Sequence, residues 1–278
     1  MANITKAENT WCPGCGNFAI LNAFSQAVDT LNEEGVKKEN ILITAGIGCH
    51  GKIFDYLDIS GLYSLHGRAV ATAQGMKLGN PDMNVVAFAG DGDSFGEGLG
   101  HVLFAAKRNF DMTLIVHYNS VYGLTTGQFT PVSEKGFVGP STPEGSIEEP
   151  FNILPLMLQA KAPFVAQGYS GNIKQLKSLI EEAVKYRGFS FINVLQPCVS
   201  FYDTYKLYNE KTYKLDTHTE DINDAMNTVQ DNDKIPTGLI YKTTRPVYHE
   251  ELYGENHNPF LDKITLTERR KVIEDILK

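Results

Sequence analysis

VVAFAGDGDSFGEGLGHVLFAAKRNFDMTLIVHYNSVYGLTTGQ, the sequence from Val85 to Gln128, decides the fold of this chain. Its first five residues are all apolar, which is typical of a strand buried on both faces of a sheet. The strand is predicted to end at Gly90, where the GDGD sequence begins. Glycines in such a turn tolerate unusual backbone angles and allow a ligand to approach closely.

A helix and a second strand are predicted after this turn. Apolar residues recur at the spacing of one helix face, at Leu99, Val102, Leu103 and Ala106. Thr113 to His117 forms another apolar run, and Asn119 follows it. A strand–helix–strand unit of this length normally forms a right-handed parallel crossover. Both strands should therefore end at the same edge of the sheet.

Open parallel sheets bind ligands at the carboxyl ends of their strands. Asp91 and Asn119 are predicted to lie there on neighbouring loops. A carboxylate, an amide oxygen and a nearby backbone carbonyl suit Mg²⁺, and backbone N–H groups of the turn suit phosphates. The alternative is a tight turn at Asp91 and a simple loop cap at Asn119. The spacing of the two residues and the intervening helix favour the binding site.

The composition is that of an ordinary globular protein, with 278 residues, 42% hydrophobic and 21% charged. This length fits one large α/β domain or one domain with an appendage. A net charge of −8 argues against nonspecific nucleic-acid binding. The N-terminal MANITKAENTW lacks the apolar core of a signal peptide, and no stretch approaches the length of a membrane span. We therefore expect a cytoplasmic protein that binds neither nucleic acid nor membrane.

Two of the four cysteines, Cys12 and Cys15, form a CxxC sequence near the N-terminus. An amphipathic helix is predicted to follow and to end near Glu34 and Gly35. A CxxC sequence alone fits a redox-active dithiol, half of a zinc site or half of an iron–sulfur site. The other two cysteines are needed to choose among these possibilities.

Cys49 and Cys198 each follow a predicted strand. Asn40 to Ala45 leads into Cys49, and Phe189 to Leu195 leads into Cys198. If both strands join the parallel sheet, these cysteines lie at the same edge as Asp91. The position of these cysteines at the ligand-binding edge is stronger evidence for a shared site than the number of cysteines in the chain.

Four cysteines arranged as one CxxC pair and two single residues suit a Cys₄ metal centre. Tetrahedral Zn²⁺ and a [4Fe–4S] cluster both accept four thiolates. Structural zinc more often uses paired CxxC sequences, whereas three separated segments that meet at the cofactor edge favour an electron-transfer centre. The alternative is four unrelated cysteines that behave as small hydrophobic residues.

Six motifs occur in a fixed order along the chain, and together they are far more specific than any one of them. They are WCPGCG, GIGCHGK, LHGRAVATAQGMKLGNP, GDGD, NSVYGLTTGQFTP and LQPC. The GDGD sequence and Asn119 resemble the thiamine-diphosphate-binding motif. The whole set, from Asn9 to about Asp203, resembles the β subunit of 2-oxoacid:ferredoxin oxidoreductases. The motif departs at Tyr118, where relatives often carry a second asparagine.

The resemblance implies an α/β fold, with a mostly parallel sheet that has helices on both faces and binds thiamine diphosphate. It implies a [4Fe–4S] cluster on Cys12, Cys15, Cys49 and Cys198. It implies Mg²⁺ on Asp91, Asn119 and the carbonyl of Val121. Contacts with the cofactor are predicted at Gly48, Cys49, His66, Gly90, Gly92, Asp93, Ser94, Gly123, Leu124 and Thr125. Catalytic roles are predicted for His66, Lys52 and Thr125.

The resemblance also implies oxidative decarboxylation of a 2-oxoacid, either pyruvate or 2-oxoglutarate. Coenzyme A would accept the acyl group, and electrons would pass through the cluster to ferredoxin. The chain has no room for the separate pyrimidine-binding module of that family, so an α subunit, or α and γ subunits, should complete the enzyme. One alternative is a non-redox thiamine enzyme with a structural zinc. The other is an electron-transfer subunit whose diphosphate site is vacant.

Residues 1–200 are predicted to form the cofactor-binding domain, and residues 201–278 a C-terminal extension packed on that domain or on a partner subunit. Residues 130–150, rich in proline, glycine and serine, are predicted to form a long ordered loop. A polar helix is predicted at Glu220 to Gln230. PTGLIYKTTRPVYHEEL, which follows, is predicted to be irregular.

Overall fold

The computed structural model describes residues 3–230 and 233–278. The strands are β1 (Ile41–Ala45), β2 (Gly61–Tyr63), β3 (Asn84–Gly90), β4 (Met112–Tyr118), β5 (Val121–Tyr122), β6 (Gln128–Phe129), β7 (Phe164–Tyr169), β8 (Phe189–Leu195), β9 (Thr212–Lys214) and β10 (Ile235–Lys242). The helices are α1 (Asn17–Glu33), α2 (Ile53–Tyr56), α3 (Ala69–Gly79), α4 (Leu99–Arg108), α5 (Ile153–Gln159), α6 (Ile173–Lys185), α7 (Tyr205–Lys211), α8 (Ile222–Val229), α9 (Tyr248–Tyr253) and α10 (Leu266–Ile276).

The main sheet has the strand order β2-β1-β3-β4-β8-β7-β10-β9. Neighbours from β2 to β7 are parallel, whereas β10 runs antiparallel to β7. The predicted mostly parallel α/β fold is confirmed. β1, β3, β4 and β8 are consecutive in space, so the loops that follow these four strands lie side by side.

The core lies on both faces of the sheet, because alternate residues of each strand point to opposite sides. On one side, Val86 and Phe88 pack with α1 and α6, and the ring of Phe88 meets that of Phe24 edge-on at 4.9 Å. On the other side, Val85 and Ala87 pack with α3, α4, α5 and α8. Val102, Ala105 and Ala106 form the buried face of α4, while Leu99 and Leu103 are only partly buried.

The prediction that the PTGLIYKTTRPVYHEEL sequence is irregular was wrong. Its first seven residues belong to β10, a buried strand of the main sheet, and its last five belong to α9. Gly238, with φ of 132°, lies just before a register shift in the pairing of β10 with β7. The segment after residue 200 thus covers the edge of β7. The division of the chain at residue 200 stays a prediction.

The predicted long loop is confirmed, because residues 130–150 contain no helix and no strand of either sheet. Internal hydrogen bonds order it: the hydroxyl of Ser133 donates to the carbonyl of Ser120 at 2.6 Å, and Gly136 N–H donates to the carbonyl of Ser146 at 2.7 Å. Among the helices in the described part of the chain, none is long and apolar enough to cross a membrane.

Asn109 fastens the C-terminal segment to the sheet. It is fully buried at the end of α4 with a left-handed backbone, φ 54°. Its Nδ2 donates to the carbonyls of Arg245 and Pro246, both at 3.0 Å, and its Oδ1 accepts from Phe189 N–H at 2.8 Å. One side chain therefore joins α4, β8 and the segment after β10.

We expect Asn109→Gly to lower the free energy of unfolding by about 2–4 kcal/mol, because the buried N–H of Phe189 and the carbonyls of Arg245 and Pro246 lose their partner. Glycine retains the left-handed backbone without strain, so the loss reports the hydrogen bonds. The matched control is Asn256→Gly, since Asn256 is exposed and also left-handed, with φ of 61°. Urea denaturation of both variants measures the difference. Equal stabilities would contradict the role given to Asn109.

Candidate cofactor site

The loops after β1, β3 and β4 enclose a cavity of about 90 Å³, here called the edge cavity. It is lined by Ile47, Gly48, Cys49, His50, His66, Gly90, Asp91, Gly92, Asp93, His117, Asn119, Val121, Tyr122, Gly123, Leu124 and Thr125. The structure therefore brings together most of the residues predicted from the sequence to contact the cofactor. They meet because the parallel strands end at one edge.

Asp91 is the most buried acid of this cavity, with 1% of its surface exposed. Its Oδ2 accepts backbone N–H groups from Asn119 at 2.7 Å and Ser120 at 2.5 Å, and its Oδ1 accepts from Gly92 N–H at 2.6 Å. Burial raises the pKa of Asp91 to about 6, against the opposite effect of these hydrogen bonds. Within the described residues, no cationic side chain forms an ion pair with it.

Asn119 is held by hydrogen bonds at both ends of its amide. Its Oδ1 accepts from Val121 N–H at 3.0 Å, and its Nδ2 donates to Oε1 of Gln196 at 3.2 Å. The backbone between them turns sharply, since Ser120 is left-handed with φ of 58°. Asp91 and Asn119 thus lie on neighbouring loops, as the crossover predicted.

Asp93 has a different environment from Asp91, although both lie in the same turn. Its Oδ1 is 2.6 Å from Nδ1 of His66 and accepts from Gly67 N–H at 2.6 Å, while its Oδ2 is 3.5 Å from Nε2 of His50. Burial raises the pKa of Asp93, but the hydrogen bonds from the two histidines outweigh burial and hold this pKa well below its usual value. The carboxylate therefore already has partners within the protein, and the predicted cofactor contact at Asp93 stays a prediction.

His66 faces a carboxylate on each side of its ring. Nδ1 contacts Asp93, and Nε2 is 3.3 Å from Oε2 of Glu97. The hydrogen bond to Asp93 raises the pKa of His66 above its ordinary value, although partial burial opposes the increase. His66 lines the edge cavity as predicted, but its two ring nitrogens already have acidic partners.

The glycines of the GDGD turn serve close packing more than unusual backbone angles. Gly92 has an ordinary helical φ of −63°. A Cβ on it would lie 2.2 Å from the ring of Tyr122, and a Cβ on Gly90 would lie 2.8 Å from Nδ1 of His50. The predicted unusual backbone angle is absent at Gly92, and the space beside both glycines is taken by protein side chains, so close approach of a ligand stays a prediction.

The four cysteines converge beside the edge cavity. A Cβ on Gly123 would lie 3.5 Å from Sγ of Cys49 and 3.8 Å from Sγ of Cys198. Burial, together with a smaller effect of the charges of the other three cysteines, raises the pKa of the Cys15 thiol to about 11. The sulfurs are thus close enough to influence one another. Cys12 is exposed, whereas the other three are partly buried.

Hydrogen bonds join the segments that carry the cysteines. The indole N–H of Trp11 donates to the carbonyl of Cys49 at 2.6 Å, and Gly16 N–H donates to the carbonyl of Pro197 at 3.3 Å. Ser200 donates its hydroxyl hydrogen to Sγ of Cys12 at 3.1 Å. The three cysteine segments are therefore fixed relative to one another by groups other than the sulfurs.

Besides Cys12, Cys15 and Cys198, two predicted site residues, Lys52 and Ser94, lie outside the cavity lining. Lys52 points its amine toward the carbonyl of Thr10 at 3.5 Å, and its charge lowers the pKa of Cys49 against the stronger effect of burial. Ser94 is buried in the turn after Asp93, and its hydroxyl has no partner within the described residues. Thr125 lines the cavity but is exposed, and its hydroxyl donates to Oε1 of Gln128 at 2.6 Å.

Sequence reasoning missed two buried histidines of the cavity, His50 and His117. Nδ1 of His117 is 2.7 Å from Oδ1 of Asn17, and its ring lies 5.7 Å from that of His50. Burial holds the pKa of His117 well below its usual value. His50 lies in the loop after β1, and His117 lies near the end of β4. Their position at the carboxyl ends of strands is the sequence feature from which they could have been predicted.

Larger grooves occur elsewhere on the molecule. One of about 450 Å³ lies between α6 and residues 214–218, and another of about 400 Å³ lies at the amino end of the strands. Neither contains a cysteine or the GDGD acids, so the edge cavity remains the candidate despite its size. Residues 3–230 and 233–278 contain no group of three or more His, Cys, Asp or Glu side chains already placed to hold a single metal ion.

Comparisons with known proteins agree with this geometry. A family described as "Thiamine pyrophosphate enzyme, C-terminal TPP binding domain" matches residues 46–194. A second family, the C-terminal part of the beta subunit of pyruvate ferredoxin oxidoreductase, matches residues 198–256. The chain is 42% identical to a 2-oxoacid:ferredoxin oxidoreductase subunit beta of Sulfolobus sp. over 280 residues, covering 94% of this chain and 91% of that protein.

Two further relatives are informative. A 2-oxoglutarate synthase subunit KorB of Methanothermobacter thermautotrophicus is 39% identical over 197 residues, covering 71% of this chain and 68% of that protein. A solved structure is similar with a TM-score of 0.89 at 34% identity, covering 98% of this chain and 94% of that chain. It is a 2-oxoglutarate:ferredoxin oxidoreductase from Magnetococcus marinus with 2-oxoglutarate, coenzyme A and succinyl-CoA bound.

The paired histidine predicts a pH dependence of stability. Because the folded pKa of His66 is raised, its contribution is fully present below its unfolded pKa of about 6.5 and is lost as pH rises through the folded value. We expect the loss of stability in His66→Gln to be larger near about pH 5.5 than near about pH 8.5. Urea denaturation at both pH values measures it. His101→Gln, which removes a histidine outside the cavity, is the control, and a loss that grows with pH would contradict the pairing.

Proposed function

The chain belongs to the family of 2-oxoacid:ferredoxin oxidoreductase β subunits, and we propose that it holds Mg²⁺–thiamine diphosphate and a [4Fe–4S] cluster side by side. The position of Gly123 carries the proposal. Its Cα faces the sulfurs of Cys49 and Cys198, while the same residue lines the edge cavity with Asp91 and Asn119. The two cofactors would therefore meet across one glycine.

The reaction we propose is the oxidative decarboxylation of a 2-oxoacid with coenzyme A, with ferredoxin as the electron acceptor. When bound, thiamine diphosphate supplies the electron sink that makes loss of CO₂ from a 2-oxoacid possible. The names of the relatives support 2-oxoglutarate as the first substrate to test, with pyruvate second. The residues of this chain would position the cofactors and exclude water.

Asp91, Asn119 and the carbonyl of Val121 would hold the Mg²⁺. Asp91 supports this assignment most strongly, because a buried carboxylate without a cationic partner is costly, and buried charges are normally paired or coordinate metals. Its three backbone hydrogen bonds use two acceptor positions on Oδ2 and one on Oδ1, out of about four in a carboxylate, so a position on Oδ1 is left for a cation. The three donors are all oxygen atoms, as Mg²⁺ prefers.

Cys12, Cys15, Cys49 and Cys198 would hold the cluster. Burial keeps the thiol pKa of Cys15 and of Cys49 high, so uptake of a metal centre must displace their protons. Convergence of three separated segments at the cofactor edge favours an electron-transfer role over a structural zinc. The exposure of Cys12 places one corner of the cluster site at the surface, where a ferredoxin could approach.

A partner subunit would complete the site. A cavity of about 90 Å³ is smaller than the roughly 300–1,000 Å³ of ordinary ligand pockets, so this chain encloses only part of a thiamine diphosphate. The α subunit, alone or with a γ subunit, would cover the rest and bring the coenzyme A site. We therefore expect activity only from the complex.

We expect Asp91→Asn to abolish Mg²⁺-dependent binding of thiamine diphosphate. Loss of an outer partner of a metal ligand costs about 10–100-fold in affinity, so loss of a ligand should cost about 100-fold or more. The measurement is calorimetric titration of the complex with thiamine diphosphate and Mg²⁺. The control is Asp58→Asn, whose carboxylate is exposed and pairs with Lys38. Unchanged affinity in Asp91→Asn would refute the Mg²⁺ assignment.

We expect Cys12→Ser to remove or deplete the cluster while thiamine diphosphate still binds, because the sites have separate ligands. Iron, zinc and sulfide analysis of the anaerobically purified complex, with its visible spectrum, measures this. Asp91→Asn serves as the reciprocal control, since it should retain iron and lose thiamine diphosphate. A wild-type protein with zinc and no iron would instead support a non-redox thiamine enzyme. Iron without thiamine diphosphate would support an electron-transfer subunit.

A further inference from the structure

Gln196 lies between the residues assigned to the two cofactors. It follows directly on β8, two residues before Cys198, and only 1% of its surface is exposed. Its backbone N–H donates to the carbonyl of Tyr118 at 2.8 Å, which fixes its Cα beside the Asn119 loop. A buried amide at this place needs an explanation, because an unpaired one would be destabilising.

The side chain of Gln196 contacts both sets of ligands. Its Oε1 accepts from Nδ2 of Asn119 at 3.2 Å. Its Nε2 donates to the carbonyl of Pro197 at 2.7 Å and to Sγ of Cys15 at 3.6 Å. Both N–H groups and one oxygen lone pair are therefore used, and one carboxamide connects a proposed Mg²⁺ ligand to a proposed cluster ligand.

Backbone groups fix the direction of this connection. Val121 N–H can only donate, so the Asn119 atom that faces it must be the oxygen. The nitrogen of Asn119 then faces Gln196, and Gln196 must accept its hydrogen bond with Oε1. At the other end, the carbonyl of Pro197 can only accept, so it requires the nitrogen of Gln196. If either amide were rotated by 180°, a donor would face a donor or an acceptor would face an acceptor.

Close packing also holds the side chain in place. A Cβ on Gly16 would lie 2.9 Å from Cγ of Gln196, so the glycine after Cys15 leaves the space that the glutamine occupies. Gly16 N–H donates to the carbonyl of Pro197. The end of the CxxC segment and Gln196 therefore fit against each other as one unit.

We propose that Gln196 is a positioning residue that couples the Mg²⁺–thiamine diphosphate loop to the iron–sulfur cluster; this rests on the proposed function. Toward Asn119, it holds the amide so that Oδ1 keeps its orientation beside Val121. Toward Cys15, its N–H stabilises the more negative, reduced state of a thiolate-bound cluster, which raises the reduction potential. One side chain thus acts on both cofactor sites.

The first variant is Gln196→Leu, made in the complete complex. We expect about tenfold weaker binding of Mg²⁺ and thiamine diphosphate, as for other outer partners of metal ligands. We also expect the cluster to become harder to reduce, by about tenfold in the reduced-to-oxidised ratio at fixed potential, or about 59 mV for a one-electron couple. Calorimetry and an anaerobic redox titration followed by electron paramagnetic resonance measure the two effects.

The chain offers a matched control in Gln167, another buried glutamine. Its Nε2 donates to the carbonyl of Pro236 and its Oε1 accepts from Nδ2 of Asn193, both at 2.8 Å, away from the cysteines and Asn119. Gln167→Leu removes a similar number of buried hydrogen bonds. We expect it to lower stability while leaving the cluster potential and the thiamine diphosphate affinity near those of the wild type.

A second variant, Gln196→Glu, separates the two contacts. The carboxylate retains an acceptor for Nδ2 of Asn119, so thiamine diphosphate affinity should recover relative to Gln196→Leu. It lacks the N–H toward Cys15 and adds negative charge there, so the cluster potential should stay low or fall further. Recovery of one property without the other is the signature that a merely structural role would not produce.

The outcomes separate this proposal from the proposed function. If wild-type complex contains iron and thiamine diphosphate but Gln196→Leu matches Gln167→Leu in both potential and affinity, the coupling role is overturned. The coupling role is also overturned if Gln196→Glu recovers both the thiamine diphosphate affinity and the cluster potential, or recovers neither of them. If wild-type complex contains no iron or binds no thiamine diphosphate, the proposed function itself fails, independently of the glutamine.

Discussion

The burial of the Asp91 carboxylate at the end of β3 is the constraint on which the site depends. Asp91 directly follows β3, a central strand of the sheet, and only 1% of its surface is exposed. Three backbone N–H groups share its charge, and two of them belong to the loop after β4. Because the pKa of Asp91 remains raised despite them, a bound cation would relieve the remaining cost of burial.

Strand order places this buried carboxylate beside the cysteines, which is the arrangement that the proposed two-cofactor site requires. Cys49 follows β1, Asp91 follows β3, Asn119 follows β4 and Cys198 comes soon after β8, and these strands are neighbours in that order. The outer two carry cysteines and the inner two carry oxygen ligands. The CxxC segment joins them from the start of α1, whose partner across the same face of the sheet is α6. The topology therefore explains why the proposed ligands of the two cofactors are adjacent.

Much of this arrangement could be predicted from the sequence, because apolar runs and crossover chirality act locally. β10 could not, since Pro236 and Gly238 interrupt its apolar pattern and its burial is decided by packing on β7 and α8. The pairing of His66 with Asp93 is also invisible in sequence. The two residues are 27 positions apart, and only the fold decides which carboxylate the imidazole meets.

The turn after β3 carries two acids, Asp91 and Asp93, whose environments are opposite. This difference favours Asp91 for binding a cation and Asp93 for pairing with groups of the protein. Asp93 meets His50 and His66, so its charge is balanced within the protein and its pKa is low. Asp91 meets only neutral hydrogen-bond donors, so its charge has no cationic partner, and burial raises its pKa. A cation that enters the cavity therefore gains more from Asp91 than from Asp93. Because the histidines pair with Asp93, Asp91 remains as the proposed ligand.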